Sequence, residues 1–300
     1  MTELSGVAPA ELTEKNSGRL VLLGTPIGNL SDLSFRAVET LRIADLIVAE
    51  DSRQSRKLLT HLGIRNKKIA SLFGKGRVDV DAVVELIGTG RVVVLVSDAG
   101  MPGVSDPGAD FVGAVRAAGL SLEVVPGPSA LTSVIALADF DVTEFHFAGF
   151  LHAQREARIS YLERAKSMGF PVVAFEAPHR IIESLGDISS VYGPGHRVLV
   201  AKELTKIHES SVSAEVSSIL GSKIVNPPKG EYVMVISATT RTVSSHVEQQ
   251  RIATVLLKSG IKVKEASVVL SELTGVPRRG AYELLLVLRG EGILNDDQSE

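Results

Sequence analysis

The chain has 300 residues, 44% of them hydrophobic and only 4% aromatic, with no tryptophan and a formal net charge of −3. That length suggests about two domains of ~150 residues each, and the near-neutral charge excludes a global nucleic-acid footprint, so any basic surface is local. With no cysteine, disulfides, thiolate metal sites and cysteine nucleophiles are all excluded.

Residues 1–17 have neither an apolar core nor a basic flank, so they read as a flexible tail and not as a signal peptide. No apolar run approaches the ~18 residues of a membrane span, and a cytoplasmic protein is expected. Residues 20–23 form a short apolar strand that runs into the loop GTPIGN. Ser34 is placed to cap a helix with Ala37, Leu41 and Ala44 on one face. Residues 46–49 are strand-like and end at Glu50 and Asp51. Asp51 and Gln54 have the spacing of a capping box for a helix reaching about Leu62. Residues 92–96 are an unbroken apolar run, as expected of a strand covered on both faces. A helix near 107–118 and a strand near 121–125 follow. Alternating strands and helices argue for a parallel sheet, and this first α/β unit is taken as residues 18–139.

A second α/β unit is read over 140–240. Its strands are 145–150, 171–177, 197–203 and 231–237, with helices near 154–167 and 179–190. From 246 to 290 only helical patterns remain. Gly260 and Gly275 are placed to end helices and Pro277 to start one. Three short helices suit a packed extension, and a helix-turn-helix is open as a second reading.

Three loops concentrate the glycines and prolines: 24–29, 97–108 and 126–129. In an open parallel sheet such loops, outside the carboxyl ends of strands, line one ligand crevice. The second packs glycines, prolines and aspartates into SDAGMPGVSDPG, and long ordered loops are usually functional. Its carboxylates suit a cationic or hydroxyl-bearing ligand better than a triphosphate. There is no Walker A loop. GKGRVD (74–79) lacks the third glycine of a dinucleotide fingerprint, and the seven histidines have no metal-ligand spacing. Asp51 is expected to cap its helix, which leaves one carboxylate oxygen for chemistry. Arg53, Arg56 and Lys57 open the densest basic stretch, either a solvated helix face or a phosphate contact. Glu176, His179 and Arg180 of FEAPHR are candidates to line a cleft.

The motifs GTPIGNLSDLSFRA, EDSR, SDAGMPGVSDPG, PGPSAL, GFL, FEAPHR, AKELTK and PKGEYVMVI occur in one order. In that order the chain resembles the tetrapyrrole-methylase-like (class III) S-adenosylmethionine-dependent methyltransferases. Within them it is similar to the branch that methylates a cytidine ribose 2′-hydroxyl in the decoding region of 16S rRNA. The resemblance spans about residues 19–238, and the tail resembles the branch's helical extension. It implies two α/β domains with a cofactor cleft between them, plus a small C-terminal three-helix extension. It also implies a homodimer acting on the small ribosomal subunit, with S-adenosylmethionine as cofactor, no metal and no membrane. The cofactor contacts it implies are Pro26, Ile27, Asp98, Gly100, Met101, Val104, Ser105, Ser129, Ala130, Ala177, Pro178 and Gly230. The chain departs from the branch's usual pattern at 71–77 (SLFGKGR), Met101, His152 and Gln154, mostly in loops expected to face RNA.

The implied reaction needs a methyl group held in line with a nucleophilic oxygen, so positioning carries much of it. A ribose hydroxyl also benefits from a base. Asp51 or Glu50 is the candidate base, with Glu203 a further one, and Arg53 or Lys202 is the candidate to hold the adjacent phosphate. A tetrapyrrole or other small-molecule methylase, and a non-catalytic RNA-binding assembly factor, remain as alternative readings.

Overall fold

The computed structural model describes residues 18–73, 77–105, 108–239 and 246–290. The tail at 1–17 and residues 74–76 of GKGRVD lie outside these residues, as do Asp106 and Pro107 of the second loop.

The first sheet contains β1 (Arg19–Leu23), β2 (Leu46–Ala49), β3 (Ile69–Ser71), β4 (Val92–Val96) and β5 (Ser121–Val125). Its order is β3-β2-β4-β1-β5 and every pairing is parallel. Successive side chains of a strand face opposite sides. Val94 and Val96 therefore join one core with Val21 and Leu41, while Val93 and Leu95 join the other with Leu20 and Phe111. That double burial is what the unbroken valine run of β4 encodes. The faces are covered by α1 (Phe35–Ile43), α2 (Ser52–His61), α3 (Val80–Gly88) and α4 (Ala109–Ala117). The Ser34 hydroxyl accepts the Ala37 amide at 3.1 Å, the cap that the sequence suggested for α1.

The capping box expected at α2 does not form. Asp51 does cap the helix, but it accepts the Arg53 amide (2.8 Å), and Gln54 turns to Lys57 (3.2 Å). The Asp51 amide, which Gln54 was to satisfy, donates instead to Asp98 Oδ1 at 2.9 Å. A carboxylate from the loop after β4 thus replaces the local partner and ties two loops together.

The second sheet contains β6 (His146–Phe150), β7 (Val172–Glu176), β8 (Arg197–Lys202), β9 (Ser210–Glu215) and β10 (Tyr232–Ile236), in the order β6-β7-β10-β8-β9. Only β6 and β7 pair in parallel; the other pairings are antiparallel. One face packs against α6 (Arg155–Met168), α7 (Ile181–Tyr192) and α8 (Val216–Leu220). The other receives α5 (Ala130–Ala136), whose Val134 packs with Val173, Leu199 and Val233. Ile27, from the loop after β1, joins this second core. The two sheets are thereby joined by apolar contacts next to the loops that matter.

Arg158 of α6 is fully buried. Its guanidinium reaches Asp187 (2.8 Å), Glu183 (2.7 Å) and the carbonyls of His152 (3.0 Å) and Ala153 (3.2 Å). Removing one member of a buried ion pair strands the other, typically at a cost of ~3–5 kcal/mol. Arg158→Ala is accordingly expected to lower the denaturant midpoint of the second unit, read by circular dichroism, whereas a shift under ~1 kcal/mol would mean that Asp187 is rehydrated.

The tail forms α9 (His246–Lys258), α10 (Val263–Thr274) and α11 (Arg278–Gly290). Ala253, Leu257, Ala266, Leu270, Ala281 and Leu285 make a core of their own. Gly260 and Gly275 have φ of 75° and 71°, the left-handed conformation of helix ends.

Candidate functional site

The loops after β1, β4 and β5 meet at the carboxyl edge of the first sheet. A Cβ on Gly24 would lie 2.7 Å from the Gly127 Cα and 2.7 Å from the Met101 sulfur, so the first and third loops touch backbone to backbone. Gly24 thus serves the packing of one loop on another. Thr25 and Gly100 exchange amide–carbonyl bonds of 2.9 and 3.1 Å, which fixes the second loop against the first.

Beside these loops lies a cavity of about 360 Å³, within the range of small-molecule sites. Ile27, Gly100, Met101, Val104, Ser105, Ser129, Ala130, Ala177 and Pro178 line it, all predicted contacts. Pro26 and Asp98 line a smaller adjoining cavity of about 290 Å³, and Gly230 lines neither. Sequence reasoning missed Phe150, Phe175, Leu204, Tyr232 and Val233, which form much of the larger cavity's second wall. All five sit in motifs already singled out (GFL, FEAPHR, AKELTK and PKGEYVMVI), but their strands become neighbours only through sheet order. A recess of about 660 Å³ between α6, β8 and α10 collects none of the predicted residues.

The larger cavity fits S-adenosylmethionine by its chemistry. Ile27, Val104, Leu204 and the edge-packed Phe150 and Phe175 offer an apolar slot for a purine. Ser105 and Ser129 add hydroxyls, and that of Ser129 makes no capping bond to α5 although it precedes the helix. Glu176 also reaches the wall but is only 2% exposed. Its oxygens accept the Ala177 amide (2.8 Å), the Arg180 guanidinium (2.6 Å) and the Ser184 hydroxyl (2.5 Å). Arg180 in turn donates to the Leu151 carbonyl (3.3 Å), so this pair ties the end of β6, where Phe150 lies, to the turn that carries Ala177. His179 is exposed in the turn before α7.

Glu50 and Asp51 line neither cavity. They stand one hydrogen bond behind Asp98, whose amide donates to Glu50 Oε2 at 3.3 Å and whose Oδ1 accepts the Asp51 amide. The Arg53 amide, then its guanidinium, hold the Asp51 carboxyl below its ordinary pKa of 3.8. Arg53 itself is 83% exposed. Lys57 lines the smaller cavity, whereas Arg56 lines a separate recess with Arg65 and Lys67. Arg53, Arg56 and Lys57 stand at i, i+3 and i+4 of α2, positions that share one side of a helix. Lys202 lies 5.6 Å over the Tyr232 ring. Glu203 is bound by Lys206 (2.9 Å) and the Glu231 amide (2.9 Å), and Lys206 above all lowers its pKa. Among the described residues, no group of three or more His, Asp or Glu is placed to hold a metal.

The family model for Tetrapyrrole (Corrin/Porphyrin) Methylases matches residues 19–220. A Synechocystis protein named "Ribosomal RNA small subunit methyltransferase I" is 34% identical over 278 residues, 92% of this chain and 100% of that protein. A Thermotoga maritima protein of the same name is 37% identical over 220 residues, 73% of this chain and 98% of its own length, so about a quarter of this chain has no counterpart in it. Among solved structures, the methyltransferase CobJ superposes with a TM-score of 0.55 at 21% identity, covering 76% of this chain and 98% of that one. A diphthine synthase does so at 0.55 and 17%, covering 74% and 90%. At these identities the structural matches speak for the fold alone.

Proposed function

The chain belongs to the tetrapyrrole (corrin/porphyrin) methylase family, and from that premise we propose that it methylates small-subunit ribosomal RNA with S-adenosylmethionine. The acceptor is the ribose 2′-hydroxyl of a cytidine in the decoding region of 16S rRNA. The observation that carries this is the shared name of relatives 31–37% identical to it, most of them matching about nine-tenths of the chain. A small-molecule methylase or a non-catalytic RNA binder has no comparable support. Action on ribosomal subunits makes the cytoplasm its place of work, and the homodimer implied by the family resemblance is testable by light scattering. No described helix is long and apolar enough to cross a membrane.

When bound, S-adenosylmethionine supplies an electrophilic methyl group on its sulfonium. The protein's residues supply the rest. Ile27, Val104 and the Phe150–Phe175 pair exclude water from the cofactor's ring. Ser105 and Ser129 orient its polar end. The Glu176–Arg180 pair keeps the end of β6 and the turn that carries Ala177 in register. Asp98, backed by Glu50 and Asp51, faces the smaller cavity and accepts the proton that the ribose hydroxyl loses as its oxygen is methylated. Lys57 and Arg53 attract the phosphates flanking the target.

Incubation with labelled S-adenosylmethionine and unmethylated 30S subunits, followed by digestion to nucleosides, tests the whole proposal. It predicts label in 2′-O-methylcytidine; label on a base, or none in RNA, refutes it. The basic residues give a separate expectation. Replacing Arg53, Arg56 and Lys57 with alanine should flatten the slope of log affinity against log salt by about 2, at ~0.7 per lost phosphate contact on single strands. An unchanged slope would make α2 an ordinary solvated helix.

A further inference from the structure

The smaller cavity opens beside the larger one and shares Ile27, Ala99 and Glu231 with it. Its wall from the second sheet is built around one ammonium group. Lys206 Nζ lies 2.9 Å from Glu203 Oε1 and 2.9 Å from Glu231 Oε2. Several independent features fix that group in place. Glu203 and Thr205 hold φ of 53° and 66°, conformations that non-glycine residues keep only where their surroundings over-determine them. The Thr205 amide donates to Glu209 at 2.6 Å, and the Glu231 amide to Glu203 at 2.9 Å. A Cβ on Gly28 would meet Lys206 Cγ at 2.4 Å, and one on Gly230 would meet Glu203 Cγ at 2.6 Å. Side chains are thus excluded at two positions to let this cluster form. Burial alone would lower the Lys206 pKa, but the two carboxylates outweigh it and the group stays protonated.

Such immobilisation is unnecessary for attracting phosphates, which exposed lysines do by long-range charge. It is what hydrogen-bond readout needs. A fixed ammonium beside a carboxylate presents a donor next to an acceptor, at a recess whose other walls include Pro26, Ile27, Leu30 and Leu58. Cytosine carries the complementary pair, an N4 amino donor next to the N3 acceptor. Carboxylates accept from cytosine N4 in direct readout, and enzymes that act on single nucleotides read an extruded base by this edge. Uracil reverses both groups. In the same pose it would set a carbonyl against Glu231 and an N–H against Lys206.

We propose that the smaller cavity receives the base of the target nucleotide and that Lys206 and Glu231 together select cytosine over uracil there. This rests on the reading of the chain as an rRNA ribose methyltransferase. A base held in this recess brings its ribose to the boundary that Ile27, Ala99 and Glu231 share with the cofactor cavity.

The test uses 30S subunits whose target cytidine, mapped first with the wild-type protein, is replaced by uridine. Wild type should methylate the uridine subunits at least about 10-fold more slowly. In Glu231→Gln the amide can donate to uracil O4, so the cytidine-to-uridine rate ratio should fall toward one. Lys206→Met should lower the same ratio by removing the other half of the pair. Each ratio compares two substrates on one variant, so any shared loss in cofactor affinity or folded fraction cancels. Equal wild-type rates on both substrates, or variants that keep the wild-type ratio, overturn the proposal. Absence of 2′-O-methylcytidine in the initial mapping refutes the functional reading itself, before the substitution is made.

Discussion

Asp98→Asn is expected to lower turnover by about 10²–10⁴-fold, the range typically lost with a general base, while leaving the fold intact. Asp98 is the carboxylate of its cluster that lines the smaller cavity. Its structural duty is to accept the Asp51 amide through Oδ1, and an asparagine carbonyl can accept the same bond. Its own amide, bonded to Glu50, is untouched by the substitution. Only the charge and the basicity are removed. Asp51→Asn is the informative partner. Asp51 lines neither cavity, and its Oδ1 already takes the Arg53 amide and guanidinium at 2.8 and 3.2 Å. Those bonds depress its pKa, the amide most, and so make it the weaker proton acceptor. It should lose less activity than Asp98→Asn. Single-turnover rates at saturating S-adenosylmethionine decide the order. If Asp51→Asn is the slower of the two, the base is the residue that the sequence pointed to first.

The same shift fixes a sign with pH. Asp51 has a folded pKa below its ordinary value of 3.8. Its capping bonds therefore contribute stability that is complete above that value and is lost as pH falls through the folded pKa. Were Asp51 the base, the acid limb of the rate profile would also lie below 3.8, and the rate would be flat from there to neutrality through this group.

Several of these elements were legible because one local force dominates each. β4 is an unbroken valine and leucine run buried on both faces, and its bounds are those read from the sequence. Ser34 opens α1 because a hydroxyl beside free helix amides is a strong local signal. β9 was invisible. Its sequence SSVSAE is polar and half-exposed at a sheet edge, and it is held by backbone pairing with β8 that no side-chain pattern announces. α5 is short, lies directly behind a proline-rich loop, and draws its stability from Val134 packing on a sheet far along the chain. The site divides in the same way. The loops of the first sheet were readable because glycines and prolines mark them. Lys206, Glu231 and Phe150 were not, because β6, β7, β8 and β10 bring them to the cleft by sheet order. The failed capping box has the same cause, since a carboxylate 47 positions away satisfies the amide better than the neighbour did.

Ala130→Phe is expected to reduce the affinity for S-adenosylmethionine and its demethylated product at least about 100-fold, some 2.8 kcal/mol at about 1.4 per decade. Ala130 is the first residue of α5 and lines the larger cavity next to Ser129. Its side chain is a single methyl group, and a phenyl ring there takes space that the cofactor needs. Gly100→Val is a less clean probe of the same space. Gly100 has φ of 83°, so any side chain strains its backbone, although an added Cβ would find ordinary contacts at 3.5 Å to Ile27 and 3.6 Å to the Pro128 carbonyl. Gly100 also exchanges both backbone bonds with Thr25. Loss of binding in that variant would confuse a filled cavity with a broken loop. Ala130 has helical geometry that phenylalanine tolerates at a few tenths of a kcal/mol. Titration calorimetry with the demethylated product reads the affinity without any RNA, and circular dichroism confirms the fold. A folded Ala130→Phe protein that binds with unchanged affinity would move the cofactor out of this cavity, and with it the assignment of Asp98 to the reacting oxygen.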